Sequence, residues 1–165
     1  MSARSGRPAV SHWYADREAL EFLALRYLPR FAVLNLVWEF AQLPLYTLWS
    51  EASAPYLAYS ALHCVLGDVL IGLGSTTLAL LALQAPRLRE WHWPRVVVLS
   101  MLFGASYTVF SEWLNTVVLR NWQYSEGMPT LLFGGLELGL SPIAQWLLIP
   151  PLALYPGRRG LRSTE

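Results

Sequence analysis

At 165 residues and a formal charge of +1, the chain is short enough for a single domain and carries no field to recruit nucleic acid. It is 55% hydrophobic and 14% charged with a mean hydropathy of +0.36, an apolar excess unlike that of a soluble globular domain. Every basic residue apart from histidine is arginine, which excludes lysine Schiff-base chemistry, and the single Cys64 excludes an internal disulfide or dithiol pair.

Residues 1–30 are polar or mixed and lack the layout of a cleavable signal, so the first long apolar run is expected to act as an uncleaved anchor. No lipidation motif is visible at either end. Residues 11–30, SHWYADREALEFLALRYLPR, predict a short helix at the inner membrane interface. Trp13, Tyr14 and the leucines supply its apolar surface while the arginines face headgroups. The plainer alternative is a juxtamembrane ordering segment.

A hydrocarbon core of about 30 Å takes about 20 apolar residues in helical form. Four segments meet that length: 31–49, 61–84, 96–119 and 131–155, followed by a tail over 156–165. Links carrying Pro55, then Pro86 and Pro94, then Pro129 separate them. The expected fold is therefore all-α, an integral membrane bundle of four transmembrane helices behind a short N-terminal interfacial helix. Soluble core helices are the competing reading, but four such runs leave too little polar sequence to cover them. Threading four spans puts eleven of the twelve arginines on one side, with Arg120 alone on the other. The positive-inside rule makes that side cytoplasmic, so both termini are expected there, in a multi-pass protein of a bacterial inner membrane.

Carboxylates inside hydrocarbon cost about 2.5–3.5 kcal/mol each even on insertion scales. The expected spans nevertheless hold Glu39, Asp68, Glu112 and Glu137, with only His63 as a basic companion near one end. Such acids share protons, bind a cation or contact water in a cavity. Glu39 falls near the midplane of span one. On span two His63 lies near the outer interface, with Asp68 about 10 Å deeper. Glu112 and Glu137 fall in the outer parts of spans three and four. One shared depth marks one shared site.

Helical periodicity groups them further. Asn35, Glu39, Gln42 and Tyr46 share about 60° of arc on span one, with Trp38 and Trp49 at its edge. Thr108, Glu112, Asn115 and Thr116 share a face of span three; Glu137, Ser141, Ala144 and Leu148 align on span four. His63 and Asp68 are about 140° apart, so Asp68 is expected inside and His63 at the outer rim. Gly67, Gly72 and Gly74, and the Gly135-x-x-x-Gly139 pair, are small residues suited to close helix approach. Pro44 and Pro142 are expected to kink their helices beside the polar stripes. The outer link 121–130, with Trp122, Tyr124, Glu126 and Met128, is placed to form either a lid or an interfacial anchor.

Histidine boxes, a P-loop, H-E-x-x-H, G-x-S-x-G and an aspartate-rich diphosphate motif are all missing from the sequence. No cofactor is evident, and the acids leave metal binding open. What remains is acid–base work by buried carboxyls, with Trp38, Trp49, Trp113 and Trp146 as faces for a developing cation. The expected catalytic acids are Glu39, Asp68, Glu112 and Glu137. The expected substrate contacts are Asn35, Trp38, Gln42, Tyr46, His63, Trp113, Asn115, Ser141 and Gln145.

The segments NLVWEFAQLPLY (35–46), HCVLGD (63–68), SEWLN (111–115) and GLSPIAQW (139–146) resemble an uncharacterised group of small bacterial four-span inner-membrane proteins. The resemblance covers most of the chain and implies the span count, but no activity. Asn35, Trp38 and Glu39 also form an N-x-x-W-E that is similar to a short motif in membrane-bound terpene cyclases; no site assignment rests on those five residues. Three classes of function fit. The first is acid–base catalysis (isomerisation, cyclisation or hydration) on an isoprenoid or other lipid. The second is a small proton- or cation-coupled transporter, with a homodimer completing a path. The third is a non-catalytic subunit pairing its acids with a membrane-complex partner.

Overall fold

A computed structural model describes residues 12–162, and the described chain is mostly helical. Its first helix, α1 (Arg17–Phe22), passes through a wide i-to-i+5 turn at Leu23–Tyr27 into α2 (Leu28–Gln42) with helical backbone angles throughout. Residues 17–30 are therefore no separate interfacial helix. Ala19, Phe22, Leu23, Tyr27 and Phe31 form one buried apolar face, and that face holds the segment in the bundle. The helix expected to reach residue 49 stops at Gln42, where Pro44 withdraws its N–H. A tight turn over Leu43–Leu45, an extended Tyr46 and the one-turn α3 (Leu48–Glu51) follow.

Two helices are long and apolar enough to cross a membrane, α4 (Ala54–Ala82) and the helix over 93–118. The latter is α5 (Trp93–Trp113) extended by a second wide turn at Leu114–Val118. At 1.5 Å per residue they measure about 43 and about 39 Å. Both begin with proline in the first turn, where its missing N–H costs nothing.

The fourth expected span begins later than its hydropathy predicts. Residues 130–139 form a β-hairpin, β1 (Thr130–Phe133) antiparallel to β2 (Leu136–Gly139). Gly134 and Gly135 turn it with φ of +59° and +83°, a left-handed pair that suits a two-residue hairpin loop and stops a helix. The Gly135-x-x-x-Gly139 pair is thus no helix-packing motif. The last helix is α6 (Leu140–Arg162), and Pro142 lies in its first turn rather than at a mid-helix kink.

The helices α2, α4, α5 and α6 form an up-down-up-down ring in which α2 and α5 each pack on both α4 and α6. Small residues set two of the close approaches. The Phe31 ring lies on Gly72, and the Trp146 indole covers Gly104; a Cβ at either glycine would overlap the ring. At Gly67 and Gly74 a Cβ would meet open space, so they bring no helices together. The arginine-rich end is filled solidly. Phe22 meets Trp91 and Trp93 edge-on, and Phe31 joins Tyr27 to Trp146. The Tyr27 hydroxyl donates to Gly72 O (3.0 Å) and pairs with Thr76 Oγ1 (2.9 Å). The preceding segment docks on the same end: Trp13 N–H donates to Ala85 O, Asp16 accepts from Leu88 N–H, and Glu18 pairs with Arg89.

Apolar side chains cover much of the outside of these helices, and a set of polar ones is buried between them. Val33, Val37, Leu66, Leu70 and Leu102 face outward, while Asn35, Glu39, Gln42, Thr108, Glu112 and Gln145 are buried.

Candidate functional site

The inner polar face of α2 begins with Asn35, whose side-chain amide donates to Phe31 O one turn back (2.7 Å). Its own carbonyl oxygen accepts from Gln145 Nε2 of α6 at 2.6 Å. The same Gln145 nitrogen reaches Asp68 Oδ2 of α4 at 2.8 Å, so one amide ties three helices together. One turn above Asn35, Glu39 is 6% exposed, and its carboxyl contacts that of Asp68 directly. Gln42 Nε2 donates to Glu39 Oε1 (2.7 Å). Gln42 is oriented in turn by Trp38 Nε1 (3.2 Å) and Ser141 Oγ (2.9 Å), both donating to its Oε1.

The third acid, Glu112 of α5, is also 6% exposed. It accepts a short hydrogen bond from the Tyr124 hydroxyl. Burial and the adjoining carboxyl push the Tyr124 phenol above its ordinary value. The buried Trp122 indole N–H is turned toward the same carboxyl. Residues 121–125 are strapped to the end of α2. Tyr124 bridges Tyr46, Thr47 N–H donates to Gln123 O, and Ser125 N–H donates to Leu45 O.

These groups open on a cavity of about 530 Å³. Glu39, Asp68 and Glu112 line it with Gln42, Tyr46, His63, Cys64, Asn115 and Gln145. Tyr56, Tyr59, Leu70, Tyr107 and Trp122 give it an aromatic and apolar side, and Ser60, Thr108, Ser111 and Asn121 add further polar groups. Tyr56, Tyr59, Leu70 and Tyr107 are also exposed on the flank of the bundle, so the cavity gives sideways onto its apolar outer surface. His63 stands at that rim, stacked on Tyr59.

Several expected site residues lie elsewhere. Glu137 is on β2, exposed, and accepts from Thr130 Oγ1 at 2.8 Å; the hairpin removes it from the helical stripe that would have aimed it inward. Leu148 is exposed as well, and the buried face of α6 runs through Gln145, Trp146 and Ile149. Trp113 is 40% exposed and packs on Phe110, away from the cavity. Trp49 faces outward and Trp146 is sealed against Gly104, so the aromatic wall consists of tyrosines and Trp122 instead. Asn35, Trp38 and Ser141 do not line the cavity; they orient the residues that do. The tyrosines carried a signal, since Tyr56, Tyr59 and His63 recur at helical spacing, as do Tyr107 and Ser111. Among the described residues no three of the His, Cys, Asp and Glu side chains are arranged to hold a metal ion.

Glu137→Gln is expected to leave unfolding in detergent within about 0.5 kcal/mol of the parent, as for an exposed position without a buried partner. A larger loss in a denaturation curve would show that the hairpin bond matters more than its exposure implies. No protein-family model, no curated protein and no solved structure matches the chain.

Proposed function

We propose that this chain is a four-span protein of a bacterial inner membrane with both termini cytoplasmic. In this reading its outer-half cavity carries out acid–base chemistry on a lipid alkene such as an isoprenoid. The outward apolar and inward polar side chains support the membrane reading, together with the two long apolar helices and the arginine bias. The likeness to the small four-span proteins agrees with it.

One observation carries the catalytic reading: the Glu39 and Asp68 carboxyls touch on the wall of a cavity that opens sideways onto apolar surface. Two carboxyls in contact share a proton instead of carrying two charges. Such a pair can donate that proton and take one back. Protonation turns the alkene π pair into a new C–H bond and leaves a cation on the neighbouring carbon. Loss of an adjacent proton to the carboxylate then restores a double bond, shifted along the chain. Attack by a second alkene instead closes a ring and leaves a cation that gives an adjacent proton to the carboxylate, and attack by water gives an alcohol once the oxonium has given its proton to the same carboxylate. The aromatic rings of Tyr59 and Tyr107 line the cavity in which a cationic intermediate would form. Gln42 and Gln145 hold the acids, and Glu112 with Tyr124 supplies a second acid–base pair.

Transport is less well supported. Toward the arginine-rich end Thr76 bonds Tyr27, Ser75 bonds Gly72 O and Ser100 bonds Val96 O, all within packed apolar surroundings. Those groups are spent on local structure and line no path. Total lipid extracts from cells with and without the protein test the proposal by mass spectrometry. A new isomer, ring or hydrate of an isoprenoid is expected with the protein; identical extracts would overturn the enzymatic reading.

A further inference from the structure

Resting on that lipid-facing site, we infer that its substrate bears an uncharged polar head, that anionic heads are refused, and that a lipophilic ammonium binds more tightly than the substrate. Three carboxyl groups line the cavity, and among the described residues its only basic side chain is His63 at the rim. A phosphate or carboxylate head would enter beside Glu39, Asp68 and Glu112 without an arginine to meet it, after giving up its own hydration. Discrimination of this kind works by repulsion, as an unpaired like charge.

The same wall welcomes positive charge. Tyr56, Tyr59 and Tyr107 line the same cavity as the acids, and aromatic rings together with carboxylates are the combination that recognises quaternary ammonium groups. An ammonium on an isoprenoid tail therefore mimics the cation formed by proton transfer. The Ser60 and Ser111 hydroxyls line the same cavity and can donate to a hydroxyl or carbonyl oxygen. An uncharged alcohol or ketone supplies that acceptor.

Three probes with one tail separate these cases: geranylgeraniol, geranylgeranyl diphosphate and geranylgeranyl-trimethylammonium, each titrated calorimetrically into the full chain in nanodiscs of neutral lipid. The ammonium is expected to bind about tenfold or more tightly than the alcohol, and the diphosphate about tenfold or more weakly. In the Asp68→Asn/Glu112→Gln variant the ammonium's advantage is expected to shrink below about threefold while alcohol binding persists, which also shows that the variant is folded. Diphosphate binding equal to the alcohol's, an unchanged ammonium advantage in the variant, or no binding by any probe would overturn the inference. This ranking is read without turnover. Unchanged lipid extracts with the ranking intact remove the catalytic reading alone, and turnover with the ranking lost removes the charge rule alone.

Discussion

Replacing Glu39 by glutamine is expected to lower lipid conversion about 10²- to 10⁴-fold, the range for losing a positioned acid or base. The cause is chemical. A glutamine at position 39 can still accept from Gln42 Nε2 and can donate to Asp68, so the network of amides around it survives. What disappears is the exchangeable proton between the two carboxyls. Asp68→Asn removes the same proton from the other side and should cost a similar factor. The double variant is the decisive member of the series. Groups that act as a unit are non-additive, so losing both should cost little more than losing one. Product formation per folded protein measures this, with denaturation in detergent as the control. Parent-like conversion by Glu39→Gln would remove the carboxyl pair from the mechanism. A double variant whose loss is the product of the single losses would mean that the two acids work separately.

The largest effect on stability is expected at Trp146. It is 1% exposed, covers Gly104 and meets the Phe31 ring at 5.8 Å. Trp146→Ala should cost about 3–5 kcal/mol, because surrounding helices cannot collapse into the space that an indole leaves. Trp146→Phe should cost less than Ala. It keeps most of the ring contact and deletes an indole N–H that has no acceptor in the protein. The partner position gives the reciprocal test. A methyl at Gly104 overlaps the indole, so Gly104→Ala should cost about 1–3 kcal/mol as overpacking. Combined with Trp146→Phe, that penalty should fall, giving a coupling of about 0.5–3 kcal/mol in a double-mutant cycle. Additive losses would show that the ring and the glycine do not constrain one another.

Some of this was legible in the residues alone, for physical reasons that differ along the chain. Asn35, Glu39 and Gln42 announce an inward stripe because polar side chains at helical spacing inside an apolar run have nowhere else to go. Tyr46 belongs to the same stripe by arithmetic and still lines the cavity, although it lies beyond the end of the helix. The segment around Leu131 misleads because hydropathy counts apolar residues without asking about backbone angles. Two adjacent glycines decide the matter in favour of a hairpin, and Glu137 leaves the site with it. The start of the first helix misleads in the opposite sense. Arg17, Glu21 and Arg26 lower the hydropathy of a segment whose other face is fully buried. The approach at Gly104 was readable after all, since Ser100, Gly104 and Thr108 repeat small residues every fourth position. Which aromatics line the cavity could not be read, because tyrosine and tryptophan serve both interfaces and pockets.

The wide turn at Leu23–Tyr27 has a consequence for how this chain tolerates change. Such a turn carries one residue more than an α-helix uses for the same rotation, and each residue of an α-helix advances the face by about 100°. A single-codon deletion there would restore ordinary winding over the same rotation and leave Glu39 turned to the interior, whereas a deletion between Leu28 and Trp38 would swing it by about 100° toward the outer face of the bundle. The second wide turn, Leu114–Val118, sits directly after Glu112 and sets the angle at which the chain departs toward Tyr124. The first wide turn thus gives this helix a place where its length can change by one residue without moving Glu39 off the inner face.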